Sequence, residues 1–193
     1  MPSIFTHSLV GIAAGKILLR KPLPKRFWVL SIVLPSLPDV DVISIAFGIP
    51  YEHVLGHRGL THSIFFALLL GFLTVTAFFR KEGLSHKHTI LLAFYFALLT
   101  ASHGILDGLI NGGLGVALLA QFDNSRYFFP FRPIEVSPIG LEFFGERGYT
   151  VIKSEMIWVW VPALSVVLLK VLLGGRFVKK KRCYSPSSGH LTP

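Results

Sequence analysis

Cysteine and acidic residues are what this chain has least of. Its single cysteine, Cys183, excludes an internal disulfide and any Cys-rich metal centre, so a bound metal would be held by nitrogen and oxygen. Asp and Glu together number 10, and all charged residues make up only 15% of 193 positions, too few to cover a soluble domain of this size. No internal repeat, Walker loop, dinucleotide fingerprint, HExxH or GxSxG element is found in the sequence, which removes the nucleotide-binding and nucleophile-elbow classes that rest on them. No basic region precedes the first apolar run and no small-residue cleavage site follows it, so the N-terminus is expected to be retained.

What fills the chain is apolar. Hydrophobic residues make up 52% of it and the mean hydropathy is +0.61, the range of membrane proteins. Apolar runs cover 8–19, 27–49, 63–79, 89–106 and 155–173. Most approach the roughly 20 residues that cross a hydrocarbon core, and the first is short for it. The expectation is an all-α, polytopic membrane bundle of five spans over residues 1–173. A long outer loop segment, 108–154, precedes the last span, and 174–193, rich in Gly, Ser, Pro and Lys, reads as a disordered basic tail attracted to anionic headgroups.

The net charge of +9 is distributed by side of the membrane rather than in a nucleic-acid-binding stripe. Lys16, Arg20, Lys21, Lys25 and Arg26 separate the first two runs; Arg80, Lys81 and Lys87 separate the third and fourth; Lys170, Arg176, Lys179, Lys180, Lys181 and Arg182 close the chain. On the other side stand Arg58, Arg126, Arg132, Arg147 and Lys153. The positive-inside rule puts the larger group, and the C-terminus, in the cytoplasm.

With that orientation, the unusual polar residues gather at one leaflet. His7 begins the first run, Asp39 and Asp41 lie past the middle of the second, His62 begins the third, and His103 and Asp107 end the fourth. Ionisable groups inside membrane segments are rare and usually line a functional cavity. Pro35 and Pro38, in LPSLPDVDVIS, break regular helix and free carbonyls that a polar pocket must satisfy. Without such a break, Asp39 and Asp41 would point to nearly opposite faces; the plainer alternative is a kinked helix with two capping aspartates. His103 and Asp107, four apart, share a helix face and suit a divalent cation of the zinc or manganese kind, or else a packing His–Asp couple. In HRGLTHS, Gly59 permits the turn that aims His57 and His62 inward. Arg58 offers a fork suited to phosphate oxygens, unless the loop simply faces headgroups. Thr61 or Ser63 is expected to cap the next helix. Glu52 and His53 could orient a ligand. His86, His88 and His190 fall away from the cluster, and His86 and His88 read as part of a solvated turn. The outer segment, with Tyr127, Phe128, Phe129, Phe131, Phe143 and Phe144 between prolines, reads as an interfacial lid whose Arg126 and Arg132 are candidates to reach an anionic group or else are solvated at the surface.

Together, THSLVG at His7, Pro38-Asp39-Val40-Asp41, His57-Arg58-Gly59-Leu60-Thr61-His62-Ser63, Ser102-His103 through Asp107, and Arg126 with the following PF resemble the YdjM-like, LexA-regulated inner-membrane family of metal-dependent hydrolases, over about residues 1 to 170. More remotely, the order His, Asp, His, His-x3-Asp is similar to the start of the zinc-dependent phospholipase C and nuclease superfamily. The later ligands of that superfamily have no counterpart after Asp107, which implies one or two metals rather than three.

The resulting expectation is a metal-dependent phosphoester hydrolase of the inner membrane with its site on the extracytoplasmic side. The expected ligands are His7, Asp39, Asp41, His62, His103 and Asp107, with His57 a further one; the ion is zinc, or manganese or magnesium. The free one of Asp39 and Asp41 takes a proton from water, while Arg58 and Arg126 hold the phosphoryl group. Membrane lipid is the expected partner and a lipid-borne phosphoester the favoured substrate. The rival is a non-enzymatic membrane protein, either metal-stabilised or a proton or cation transporter; a transport path would extend polar residues into the other leaflet, where FFALLLGFL and ILLAFYF are apolar.

Overall fold

The computed structural model describes residues 1–18, 24–138 and 140–182. Arg20, Lys21, Cys183 and His190 lie outside the described residues. All regular structure that is described is helical, apart from two isolated bridges, Ile110 with Ile134 and Val116 with Tyr127.

Each apolar run becomes a helix. They are α1 (Ile4–Leu18); α2 (Lys25–Val33), continued by a 3-10 stretch Leu34–Val42 and the short α3 (Ile43–Ala46); α4 (Ile64–Phe78); α5 (His86–Gly108); and α6 (Glu146–Glu155), which passes through a π turn Met156–Trp160 into α7 (Val161–Arg182). Three helices, Lys25–Ala46, His86–Gly108 and Glu146–Leu173, are long and apolar enough to cross a membrane, and α1 and α4 are shorter apolar helices. With 15 residues each, α1 and α4 rise about 22 Å, less than the roughly 30 Å hydrocarbon core.

Three boundaries differ from the sequence expectation. The outer segment ends at Gly145 rather than 154, because Glu146 opens α6 and its acidic side chain suits a helix N-terminus. His86 and His88 belong to the first turn of α5, where the Ser85 hydroxyl meets His88 Nδ1 at 2.6 Å. Residues 174–182 extend α7 where a disordered tail was expected; Lys and Arg are good helix formers, and no proline interrupts them.

The helices α4 and α5 form the most extensive pair. Gly71 makes it possible: a Cβ there would fall 2.5 Å from the carbonyl oxygen of Ala93 and 2.8 Å from the Cβ of Ala97. Small residues at a crossing let backbones approach where lipid supplies no hydrophobic drive. Beneath this pair lies an aromatic core of Phe27, Phe79, Tyr95 and Phe96 with Leu34, Val75 and Leu99. Tyr95 spans three helices there, its hydroxyl 2.9 Å from Ser31 Oγ and 3.4 Å from the carbonyl of Gly11. The helix α7 keeps Leu164, Leu168, Leu169 and Leu172 more than half exposed, as a lipid-facing surface would. It is tied to α1 where Lys170 Nζ donates to the carbonyls of Lys16 and Ile17, both at 2.7 Å, which satisfies carbonyls left open at a helix C-terminus.

Candidate metal centre

The site begins with a proline. In a 3-10 helix each carbonyl accepts from the amide three residues on. For Pro35 that residue is Pro38, which has no N–H. The freed Pro35 carbonyl is taken by His103 Nδ1 at 2.7 Å. Because a carbonyl can only accept, Nδ1 carries the proton and Nε2 presents a bare lone pair. A backbone defect in one span thus selects the tautomer of an imidazole in another.

His62 is set by the same logic. Its Nδ1 lies 3.1 Å from Asp41 Oδ2, so the carboxylate accepts that proton and Nε2 is left as a donor atom. The two Nε2 atoms face each other at 3.0 Å. Around them stand Asp39 Oδ1, at 3.1 Å from His103 Nε2 and 3.6 Å from His62 Nε2, and Asp107 Oδ2, at 4.0 and 3.6 Å from the same atoms. Ligands at about 2.0–2.1 Å around a tetrahedral ion stand about 3.3–3.4 Å apart. The four atoms bracket that spacing, and all lie within 4.8 Å of one another.

Charge gives an independent test of fit. Asp107 faces both the N-terminal amine of Met1 and the Arg58 guanidinium, whose Nε is 2.9 Å from Asp107 Oδ2 in a geometry too bent for a hydrogen bond. Asp107 therefore has no hydrogen-bond donor on either oxygen, although its side chain has no solvent exposure. Two facing imidazole nitrogens and a buried carboxylate without hydrogen-bond donors are both answered by one divalent cation. The field acts on His62 in the same sense. Burial works against its charged form, but its contacts with the carboxylates of Asp107, Asp39 and Asp41 override this and raise its pKa to about 10.

Asp41 has a different task. It meets His57 Nδ1 at 2.6 Å, His62 Nδ1 and the Arg58 amide each at 3.1 Å, and the Thr61 hydroxyl. Oδ2 takes three of these contacts and Oδ1 the one with His57, so Asp41 orients imidazoles. Asp41, His57 and His62 form a second group whose donor atoms lie within coordination reach of one another. Where no ion sits between them, their contacts make Asp41 and His57 orienting partners of His62.

The loop that delivers His57 and His62 turns at an unexpected residue. Arg58 takes the left-handed conformation, φ 63°, whereas Gly59 has φ −88°. Gly59 is needed for proximity instead, since a Cβ there would sit 2.2 Å from the Val54 carbonyl oxygen. Ser63 caps α4 by accepting from the Phe66 amide at 3.1 Å, as expected.

Three other predicted roles change. Arg58 is buried against Asp107 and is not free to grip a phosphoryl group. Arg126 donates to the carbonyls of His57 at 2.8 Å, Tyr51 at 2.5 Å and His53 at 3.3 Å, so it clamps the ligand-bearing loop from the outer segment. Both departures arise because loop carbonyls and a buried carboxylate capture guanidinium N–H groups before a substrate can. His7 stacks on His103 with ring centroids 4.0 Å apart, yet its nitrogens are outside the donor group and have no hydrogen-bond partner. It supports the ligand's ring face rather than joining the ligands.

Sequence reasoning passed over Glu155, which is wholly buried. It accepts from the Ser3 amide and hydroxyl, each at 2.5 Å, and from the Thr6 hydroxyl at 2.6 Å; Trp160 Nε1 donates to Thr6 at 2.6 Å. The acidic residue opening an apolar run was the available signal. It caps α1 from another helix and so sets the position of His7.

Among known proteins, the inner membrane protein YbcI of Escherichia coli (strain K12) is 37% identical over 165 residues, covering 85% of this chain and 94% of that protein. No solved structure matches. The YdjM inner membrane protein family matches residues 1–181, which include every residue of the His and Asp cluster. On both counts the chain belongs to the YdjM inner membrane protein family.

Proposed function

We propose that this protein is a membrane-embedded, metal-dependent hydrolase of phosphoesters, with zinc as the ion its donors suit best. The observation that carries the reading is the convergence of Asp39 Oδ1, His62 Nε2, His103 Nε2 and Asp107 Oδ2 within coordination reach of one point. Two imidazoles and two carboxylates match zinc ahead of magnesium, which prefers oxygen and water. The charge asymmetry supports a multi-pass arrangement with the C-terminus in the cytoplasm and this cluster near the extracytoplasmic surface.

A bound divalent cation would acidify a water and polarise a phosphoryl oxygen. The chain's own part is to hold that cation and to handle the proton. Asp39 is the ligand suited to both, since its side chain is 17% exposed while those of His62, His103 and Asp107 are closed off. No protein donor reaches its Oδ2, which can accept a proton from the attacking water. In the overall reaction the water oxygen bonds to phosphorus, the ester P–O bond breaks, and the alkoxide leaves with a proton.

One observation favours a second reading. Four protein ligands complete a tetrahedron, the pattern of structural zinc sites, whereas catalytic sites keep a position open. Metal analysis of the purified protein together with turnover of a phosphodiester panel separates the two. Stoichiometric metal with hydrolysis that is lost in both His103→Ala and Asp39→Ala supports the enzyme. Stoichiometric metal with no hydrolysis of any ester assigns the ion to structure.

A further inference from the structure

Of Asp39, His62, His103 and Asp107, Asp39 alone keeps side-chain exposure, and it is also part of the wall of a half-open crevice of about 370 Å³. Among the described residues, this crevice is a route to the cluster. Its makeup therefore constrains what the site can take.

The crevice has two unlike ends. At the inner end are Asp39 and Ser36, whose hydroxyl is buried without a hydrogen-bond partner. The outer walls are Ile4, Phe5, Val42, Pro138, Phe143 and Phe144. Phe5 and Phe143 face each other across it with ring centroids 6.4 Å apart, and Phe144 packs edge-on to Phe143 at 5.7 Å. Phe144, on this wall, is 81% exposed. Asp39 is the sole charged side chain along the lining, which also holds Met1 with the amino terminus, Ser3 and Ser137, and no Lys or Arg stands there to draw a soluble anion inward. A water-borne phosphate would meet an apolar rim and then a carboxylate. A lipid would meet a rim that matches its chain, a buried hydroxyl that can donate to its head, and then the cation site.

We infer that the crevice between the α1 N-terminus and the wall formed by Ser137, Pro138, Phe143 and Phe144 admits a lipid-borne phosphoester, with its head at Ser36 and Asp39 and the start of its hydrocarbon chain between Phe5 and Phe143. This rests on the hydrolase reading and names its substrate class. The volume lies within the roughly 300–1,000 Å³ range of small-molecule sites. It holds a head and the first part of a chain, while the rest stays in the bilayer.

Two non-hydrolysable probes test this on the zinc-loaded full-length protein in detergent micelles: dodecylphosphonate and methylphosphonate, which share a head. Each buried methylene strengthens binding about fourfold, so the long probe is expected to bind at least about 100-fold more tightly. Val42→Trp, which fills the crevice, and Phe143→Ala, which removes a wall, should each cut this preference about tenfold or more at unchanged zinc content. Comparing variants in the same micelles cancels partition of the probe into detergent. If both probes bind equally, or if the preference survives in both variants, the lipid source is overturned while phosphoester binding stands. If neither probe binds zinc-loaded protein, the phosphoester reading itself fails along with it.

Discussion

Phe96 and His103 lie about two turns apart on α5, and neither has any solvent exposure. Around Phe96 the neighbours are Phe27, Phe79 and Tyr95, with ring centroids 5.1 to 5.8 Å away in tilted and edge-on poses. Around the His103 nitrogens every contact has a sign: a carbonyl at Nδ1, a second imidazole and two carboxylates at Nε2. Dispersion is non-directional and tolerates a change of shape, whereas a donor set fails when one lone pair is lost. The same helix thus carries a forgiving half and an exacting one.

The contrast predicts a ranking of damage. His103→Ala or Asp107→Ala should weaken zinc binding by more than about 100-fold, since even loss of an outer partner costs about 10–100-fold; metal content after dialysis against a weak chelator checks this. Arg58→Met should cost about 3–5 kcal/mol of stability in the metal-free protein, because it leaves Asp107 buried and unpaired. Zinc should restore part of that loss in thermal unfolding, and a variant as stable as wild type would show that Arg58 does not neutralise Asp107. Asp41→Asn should lower zinc affinity by about 10–100-fold with the fold intact, through misdirected His62. Tyr95→Phe, in the forgiving half, should cost only about 0.6 kcal/mol, typical of an interhelical hydrogen bond in a membrane protein, and leave zinc content unchanged.

A pH test sharpens the same comparison. The His62 pKa is raised to about 10 from an ordinary 6.5. In the metal-free protein, the stability its proton contributes is therefore fully present below about pH 6.5 and fades as pH rises through 10. Zinc must displace that proton, so uptake near pH 7.5 should release about one proton and affinity should climb with pH. Calorimetry in buffers of different ionisation enthalpy reads the proton count. Release of none would mean that His62 does not ligate through Nε2.

Much of the site was legible because membrane burial makes ionisable residues conspicuous. Asp39, His62, His103 and Asp107 stood out against apolar runs, and Pro35 with Pro38 announced a freed carbonyl that His103 indeed takes. What hid the roles of Asp41, His57, Arg58 and Arg126 is that ligand, orienting partner and loop clamp use the same side chains. Sequence spacing records neither how many donors already occupy an oxygen nor whether a guanidinium has met a carbonyl. Glu155 was hidden for a related reason: its partners, Ser3 and Thr6, lie about 150 residues away.

By itself the sequence determined the helices and their lipid-facing surfaces, since these follow from local hydropathy and from proline's missing N–H. It also determined which residues are too costly to bury in an apolar segment without a purpose. Tertiary structure alone decided which of them come within reach of one ion, because coordination depends on lone-pair directions across three segments of chain. It also decided that, of these four side chains, Asp39 is the one left partly exposed, since exposure is a property of the atoms that fail to cover it.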